Sequence, residues 1–335
     1  MNMRIWREKI IESSSRIAIP IMTHPGIDMI GCRVIDAVTD GEKHFQAIRA
    51  LNDAYPSAAC CTIMDLTLEA EAFGSKVVFY ENEIPAVEGK IVENIDDIEK
   101  LSIPTVDCAR LPQMLKACTM AAENITDRPV LGGVIGPYSL ACRLYGMSEL
   151  MIDCFCEPET IEVLLGKCTN FLISYCKQFK KSGINGIIMA EPAAGLISED
   201  ECMRFSSHYI RQIVESVQDE NFIFVLHNCG TNGHCTKAML ATGALGLHFG
   251  NKADMKNVLD LCPPDVLVMG NLDPVSVFLQ GNTQEVYNET SKLLSMTDNY
   301  PNFVLSSGCD VPPHIPSSNI EAFYNALNDY NTHER

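Results

Sequence analysis

The chain has 335 residues, of which 47% are hydrophobic, and a formal net charge of −18 at pH 7. A chain of this length and apolar content can bury a core large enough to fold without a disulfide or a structural metal. The acidic excess and the lack of a block rich in Lys and Arg argue against binding to nucleic acid or to an anionic membrane, since both need a basic surface.

The N-terminus and the cysteines indicate a cytoplasmic protein. The opening residues MNMRIWREKIIESSS contain no apolar core and no cleavage-like site, so we expect no signal peptide. No apolar run reaches the roughly 18 residues of a membrane-spanning helix, so no membrane association is expected. The 15 cysteines are odd in number and irregularly spaced, which argues against a disulfide framework and favours a reducing compartment.

Short apolar runs alternate with helical patterns along the chain. The runs that predict buried strands are 17–22, 60–64, 130–135, 186–190, 222–227, 244–249, 266–270 and 303–306. The clearest helical patterns are 42–54, 107–123, 157–181, 199–217, 253–261, 283–296 and 317–328. The segment 66–105 is too long for a plain loop and is predicted to add a helix and a small hairpin.

The strand pattern predicts the fold class. The apolar runs do not alternate with polar residues, which is typical of a parallel sheet covered on both faces. Eight such strands with intervening helices predict a (β/α)8 TIM barrel, as a single domain over 1–335 with N-terminal additions. A doubly wound open sheet is the competing fold, but the first predicted strand and the loop after it, IAIPIMTHPGIDMIG, lack the glycine fingerprint GxGxxG.

Polar residues follow several predicted strands. TIM-barrel enzymes build their active sites at the carboxyl ends of the strands, so these residues are candidates for chemistry. They are Asp65, Glu191, His227, Cys229, Asp273, Cys309 and Asp310.

The strongest candidate site combines His227, Cys229 and Cys309. His227 and Cys229 are two residues apart and point the same way while the backbone is extended, and Cys309 follows the last strand. Two thiolates and one imidazole are a common zinc set with one open position. Zn²⁺ with two thiolates is neutral, and a thiol at the open position loses its proton well below its free pKa of about 8.5. The ligand set therefore favours alkylation of a thiol over activation of water.

Other interpretations of these residues stay open. His-x-Cys can be an ordinary polar strand end, and His234 or Cys235 could complete a structural site with four ligands. His248 and the Cys60–Cys61 pair are expected to be core or to support the ligands. The carboxyls of Asp65, Glu191 and Asp273 could act as a general acid, support a ligand or cap a loop. Glu191 and Asp310 are our candidates for occupying the fourth coordination position of zinc until a thiol displaces them.

Six motifs together carry a resemblance that runs over nearly the whole chain. They are MDLTLEAEAFG (64–74), GPYSLACRLYG (136–146), AEPAAGLIS (190–198), HNCG (227–230), GNLDP (270–274) and SGCDVPPHIPSSNIEAF (307–323). On these motifs the sequence resembles the uroporphyrinogen decarboxylase superfamily, and within it the zinc-dependent methylcobamide:thiol methyltransferases. The resemblance implies a TIM barrel, in agreement with the strand pattern.

The decarboxylase branch matches less well. Its arginine-rich motif after the first strand corresponds here to PIMTHPGIDMIG, residues 20–31, which contains no arginine. The decarboxylase tyrosine corresponds to Arg143 and the C-terminal histidine to Cys309, while the central aspartate remains as Asp65. An octa-anionic porphyrinogen would therefore lack its guanidinium partners.

The methyltransferase pattern matches in full at His227, Cys229 and Cys309. The resemblance implies Zn²⁺ as cofactor, a methylated corrinoid (a corrinoid protein or free methylcobalamin) as methyl donor, and a small thiol such as coenzyme M as acceptor. It also implies that the corrinoid docks over the barrel mouth, where we expect Tyr138, Arg143, Met147 and the loop 192–197, with Asp65 at the site.

Two alternative functions follow from the same residues. The first is a cofactor-free decarboxylase of a porphyrinogen-like acid, which needs a basic pocket. The second is a non-catalytic corrinoid-binding protein with a structural zinc, which would show four protein ligands and no open position.

Overall fold

A seven-stranded parallel sheet forms the centre of the molecule, seen in a computed structural model that describes residues 1–333. Its strands are β1 (Cys60–Cys61), β4 (Val130–Ile135), β5 (Gly186–Ala190), β6 (Ile223–Asn228), β7 (Gly246–Phe249), β8 (Leu267–Leu272) and β9 (Phe303–Ser307), in that order across the sheet. Every neighbouring pair is parallel, as the unbroken apolar runs predict.

An extended segment near the N-terminus closes the sheet into a barrel. The Ile19 amide donates to the Leu305 carbonyl at 2.9 Å, and the Leu305 amide donates to the Ile17 carbonyl at 3.1 Å. On the other side the Ala58 amide, just before β1, donates to the Ala18 carbonyl at 2.9 Å. The first predicted strand thus exists as a short bridge at Ala18, and the predicted α/β TIM barrel is confirmed.

Helices cover the outside of the barrel. They are α1 (Met3–Glu12), α2 (His24–Met29), α3 (Val34–Thr39), α4 (Gly41–Ala54), α5 (Leu68–Ala72), α6 (Asp96–Lys100), α7 (Leu111–Asn124), α8 (Pro137–Tyr145), α9 (Met147–Cys156), α10 (Pro158–Lys181), α11 (Glu199–Cys202), α12 (His208–Val217), α13 (Thr236–Leu240), α14 (Met255–Leu261), α15 (Thr283–Met296) and α16 (Ser317–His333). A 3-10 turn covers Pro192–Leu196, and wider π turns cover Met203–Ser207 and Pro274–Leu279. The π turn at Met203–Ser207 divides the predicted helix 199–217.

The long insertion between the first two sheet strands has the predicted content. It contains the short helices α5 and α6 and an antiparallel hairpin of β2 (Lys76–Val78) and β3 (Ala86–Glu88). The predicted domain 1–335 extends beyond the described part, because residues 334 and 335 lie outside it. No helix within residues 1–333 is long and apolar enough to cross a bilayer.

Two groups of buried side chains explain why the strands are apolar throughout. Ile188 belongs to an inner group that fills the barrel, whereas its neighbour Ile187 packs outward against the helices. Adjacent residues of a strand point to opposite faces, and both faces of this sheet are covered. Met3 of α1 joins the inner group and is 2% exposed, so the N-terminal helix closes one end of the barrel.

Candidate metal centre

Two strand ends bring the three predicted ligands together. His227 is the second-last residue of β6, and Cys229 is the first residue after that strand. Cys309 lies two residues beyond the end of β9. The imidazole nitrogen and the two sulfurs all lie within 4.8 Å of one another. Zinc bonds of about 2.3 Å to sulfur place two sulfurs about 3.8 Å apart, so the group can close around one ion with small side-chain movements.

A hydrogen bond between the thiols of Cys229 and Cys309 gives them different pKa values. The bond from Cys309 lowers the pKa of the Cys229 thiol to about 7, although burial opposes this. The same bond raises the pKa of Cys309 to about 12, and burial adds to the rise. Near neutral pH Cys309 therefore keeps its proton while Cys229 is partly deprotonated, and a divalent cation can displace the remaining protons to gain two thiolate ligands.

A hydrogen-bonded chain orients the imidazole of His227. The Ser306 hydroxyl donates its single proton to the Ile19 carbonyl at 2.7 Å, so its oxygen must accept from His248 Nε2 at 2.8 Å. His248 Nδ1 then carries a lone pair and accepts from His227 Nδ1 at 2.8 Å. Each assignment follows from the previous one, because a neutral imidazole has one donor and one acceptor nitrogen.

The result is an imidazole prepared to bind a metal. The chain places the proton of His227 on Nδ1 and leaves the lone pair on Nε2. That Nε2 atom is buried and has no hydrogen-bond partner. A buried nitrogen without a partner needs an explanation, and a metal ion held together with the two sulfurs supplies it. The residues present therefore fit zinc.

A cavity of about 260 Å³ opens above the three ligand side chains. Its wall is mostly apolar and includes Met64, Leu66, Ile84, Pro192, Pro312 and Pro313. The polar groups beside the ligands are His24 and Asp310. The cavity therefore offers mostly apolar contacts to a small molecule, with the two sulfurs of Cys229 and Cys309 in its wall.

Asp310 lies in this cavity, next to the ligands as predicted. Its Oδ2 atom is 3.7 Å from Nε2 of His24, and its Oδ1 atom is buried without a partner. Burial, followed by the nearby charge of Cys309, raises the pKa of the Asp310 carboxyl well above its ordinary value. Its predicted role in holding the fourth position stays a prediction.

The structure places Glu191 differently from our expectation. Its Oε2 atom accepts from the Tyr138 amide at 3.0 Å and its Oε1 atom from the Ser139 amide at 2.6 Å, at the N-terminus of α8. Unsatisfied amides and the helix dipole make this a favourable place for a carboxylate. Burial raises the pKa of Glu191 to about 7 against these hydrogen bonds. Glu191 does not line the cavity, so the structure does not support it as a fourth ligand.

A second cavity of about 440 Å³ adjoins the first, and Leu66 and Pro192 line both. Arg143 and Met147 lie in its wall, together with part of the loop 192–197, where we expected the corrinoid face. Tyr138 does not line this cavity, because its side chain is buried in the core with 0% exposure. Tyr138 and Arg143 are five residues apart on α8, which turns them about 140° away from each other.

Asp65 also lies away from both cavities. Its Oδ2 atom binds Arg110 Nη1 at 2.5 Å, and the Nε atom of the same guanidinium binds Glu71 at 2.6 Å. Asp65 is 3% exposed, so its carboxylate is committed to a buried ion pair. Asp65 therefore does not line the cavity beside Arg143 and Met147, because a buried carboxylate must keep its partner.

The alternative fourth ligands have other contacts. Nε2 of His234 faces the Ile197 carbonyl at 3.0 Å, and its Nδ1 faces Thr231 at 2.9 Å. Cys235 is buried with its sulfur near the Ala194 carbonyl. Within residues 1–333 the cluster consists of three residues. Asp273 caps the turn that follows it, as the loop-cap interpretation predicts.

Sequence reasoning missed two residues of this site, His24 and Ser306. His24 follows the first extended segment in the stretch MTHPG, and its place at a strand end was a signal that could have identified it. His248 was among the candidates for support, but its partner Ser306 was not considered. No spacing in the sequence pairs a residue of β7 with one of β9, so the hydrogen bond between His248 and Ser306 can be seen only in the folded structure.

Comparison with known proteins gives three results. The family model described as uroporphyrinogen decarboxylase (URO-D) matches residues 15–330. Methylcobamide:CoM methyltransferase MtbA of Methanosarcina acetivorans is 27% identical over 299 residues, which cover 88% of this chain and 86% of that protein. A uroporphyrinogen decarboxylase of Vesicomyosocius okutanii is 23% identical and is matched over 83% of this chain and 81% of its own length.

The fold is also found in a solved structure. A methyltransferase from Methanosarcina mazei superposes with a TM-score of 0.88 at 21% identity, over 98% of this chain and 99% of that one. At this identity the likeness concerns the barrel and its added helices.

Proposed function

This chain belongs to the uroporphyrinogen decarboxylase family, and from that premise we propose that it moves a methyl group from a methylated corrinoid to a small thiol, using zinc held by His227, Cys229 and Cys309. Similarity over most of the chain to proteins named methylcobamide:CoM methyltransferases supports the reaction class. The supporting geometry is the group of one imidazole and two sulfurs within 4.8 Å.

One observation carries the proposal: the buried Nε2 of His227 has no partner and lies beside the two thiols. Zinc at this point would take the sulfur of a substrate thiol as its fourth ligand and lower the pKa of that thiol. The two cysteines balance the charge of the ion, and His248 fixes the imidazole. The apolar wall excludes water, which keeps the substrate sulfur nucleophilic.

The methyl transfer is a displacement at carbon. The thiol loses its proton to solvent, the sulfur attacks the methyl carbon, and the carbon–cobalt bond breaks with its electron pair remaining on cobalt. The protein contributes position and a deprotonated sulfur. The cavity beside Arg143 and Met147 is wide enough for part of the donor, and it adjoins the cavity with the sulfurs through Leu66 and Pro192.

Porphyrinogen decarboxylation finds no comparable support. The wall of the cavity above His227 contains no Lys or Arg side chain within residues 1–333. A substrate with many carboxylates would have to leave water without a cationic partner, which is strongly unfavourable.

The proposal is tested with Cys309→Ala and a matched control, Cys108→Ala. Both thiols are partly exposed, but only Cys309 belongs to the cluster. We expect the wild type and the control to bind one zinc and to demethylate methylcobalamin when thiol is added. The Cys309 variant should lose transfer by at least about 100-fold while its circular dichroism is unchanged, because the core does not depend on the metal.

X-ray absorption at the zinc edge gives the decisive measurement. One additional sulfur in the zinc shell after thiol is added supports thiol activation. A shell that stays unchanged with four protein ligands, or a protein that binds no zinc, contradicts the proposal.

A further inference from the structure

Besides Nε2 of the proposed ligand His227, two buried polar atoms of residues that line the 260 Å³ cavity have no partner. They are Nδ1 of His24, a residue 3% exposed, and Oδ1 of Asp310. Both residues belong to the cavity wall, and their other polar atoms face each other at 3.7 Å. A buried polar atom without a hydrogen bond destabilises a protein by about 1–3 kcal/mol, so two of them in one cavity point to a ligand that supplies the missing partner.

Both unpartnered atoms accept hydrogen bonds. The Asp310 carboxyl has an accepting oxygen whether or not it holds a proton. The proton of a neutral His24 is best placed on Nε2, which faces the Asp310 carboxyl, and this leaves a lone pair on Nδ1. A group that donates more than one hydrogen bond can therefore satisfy both atoms at once.

The remaining wall offers nothing to an anion. Its other members, apart from the metal ligands, are apolar, and no Lys or Arg of residues 1–333 is among them. Lys252 affects the acidity of Cys229 from an exposed position outside the wall, and Arg143 lines the neighbouring cavity. A sulfonate or carboxylate placed beside Asp310 would lose its water without gaining a cation.

We propose that the acceptor is an aminothiol, whose amino group donates to Asp310 and His24 while its sulfur binds among His227, Cys229 and Cys309. This inference rests on the proposed function and specifies its substrate class. Asp310 directly follows the ligand Cys309, and neighbouring residues are about 3.8 Å apart, which is comparable to the span of two or three carbons between sulfur and nitrogen. Asp310 and His24 are then the residues that determine specificity.

Three two-carbon thiols that differ only in the distal group provide the test: cysteamine, 2-mercaptoethanol and 2-mercaptoethanesulfonate. With methylcobalamin as donor, we expect kcat/KM for cysteamine to exceed that for the sulfonate by about tenfold or more. Asp310→Asn keeps the size of the side chain and replaces one carboxyl oxygen with a donating NH2 group, so the ratio should fall by about tenfold. Because each thiol has the same intrinsic reactivity with every variant, comparing this ratio of kcat/KM values between variants cancels that reactivity.

Glu83→Gln is the matched control for charge. Glu83 is exposed and precedes Ile84 of the cavity wall, so the substitution removes a nearby negative charge without altering the wall. We expect the control to keep the wild-type ratio. If Glu83→Gln changes the ratio as much as Asp310→Asn, general charge explains the preference and the inference fails.

Calorimetric titration of the same thiols distinguishes this inference from the proposed function. Binding of cysteamine in preference to the sulfonate, without methyl transfer, would contradict the function and support only the preference of this cavity for an aminothiol. Methyl transfer to the sulfonate at an equal or greater rate would support the function and contradict the inference. If none of the three thiols binds, both are wrong.

Discussion

At the scale of single residues, the candidate metal centre depends on a side chain that is not one of its three proposed ligands. His248 is fully buried, and burial lowers its pKa well below the ordinary value of histidine, so it remains neutral. Its neutral form has one lone pair, which accepts the proton of His227. The hydrogen bond between His248 on β7 and Ser306 on β9 thus decides which ring nitrogen of His227, on β6, carries the lone pair.

The first prediction concerns His248. His248→Ala leaves the Nδ1 proton of His227 without an acceptor and should weaken zinc binding by about 10–100-fold. His248→Asn offers an amide oxygen at the place of Nδ1 and should recover most of the affinity. Competition with a zinc chelator, read by absorbance, measures both values without any assay of activity. Equal affinity in the wild type and the Ala variant would show that the histidine does not orient the ligand.

At the scale of elements, a buried guanidinium joins three parts of the fold. Arg110, at the start of α7, binds Asp65 after β1, Glu71 in α5 and the Val38 carbonyl in α3. Because the group is buried, removing one charge leaves the others without compensation. This arrangement explains why Asp65 is unavailable to a substrate.

The second prediction follows from this ion pair. Arg110→Ala should lower the free energy of unfolding by about 3–5 kcal/mol. The matched control is Arg33→Ala, since Arg33 also binds two carboxylates, Asp36 and Glu81, but is exposed. We expect less than about 1 kcal/mol for the control. Urea titrations of both variants measure the difference, and a similar loss in the two would contradict the argument from burial.

A third prediction concerns the contact between α5 and β4. Glu69 is 0% exposed; its Oε1 accepts from the Ile135 amide at 3.2 Å and its Oε2 has no partner. Burial raises the pKa of Glu69 from 4.5 to about 8. A raised carboxyl pKa contributes stability that is complete below pH 4.5 and is lost as the pH rises to about 8, because only the unfolded chain releases the proton in that range.

Glu69→Gln tests this contribution. The amide keeps one acceptor for Ile135 and carries no charge, so the variant should gain stability relative to the wild type as the pH rises. We expect the gain to be about 1–3 kcal/mol at pH 8.5 and to become small near pH 5. Thermal or urea unfolding at both pH values measures it. A difference between the two proteins that does not change with pH would contradict the raised pKa.

At the scale of the whole molecule, the barrel has one closed end and one open end. The Met3 amide of α1 donates to the Glu220 carbonyl before β6, and the Met3 side chain packs into the barrel interior. His227, Cys229 and Cys309 lie at the carboxyl ends of the strands, on the opposite side. The packing that closes one end of the barrel and the three proposed metal ligands therefore lie at opposite ends.

The fourth prediction concerns the closed end. Met3→Ala should destabilise the protein by about 2–4 kcal/mol, because the space it leaves in the barrel cannot close fully. Ile5→Ala on the same helix is the control, since Ile5 is 46% exposed and should change stability by less than about 1 kcal/mol. Both should bind zinc as the wild type does. Loss of zinc binding in Met3→Ala would show that the two ends are coupled.

The sequence by itself determined the barrel and the identity of the three candidate ligands. Apolar runs on β4, β5 and β6 and the helical patterns of α10 and α15 reflect local periodicity, which burial on both faces of a parallel sheet imposes directly on the chain. His227 and Cys229 could be paired because two residues in extended backbone share a face. Cys309 could be added because the fold brings all strand ends to one mouth.

Only the tertiary structure decided the directions of side chains that follow a strand. Glu191 turned to the amides of α8 and Asp65 to Arg110, because each carboxylate found a stronger partner from a distant part of the chain. His24 and Asp310 became neighbours although they lie 286 positions apart in the sequence. Such contacts depend on the assembled barrel, and no local pattern in a sequence encodes them.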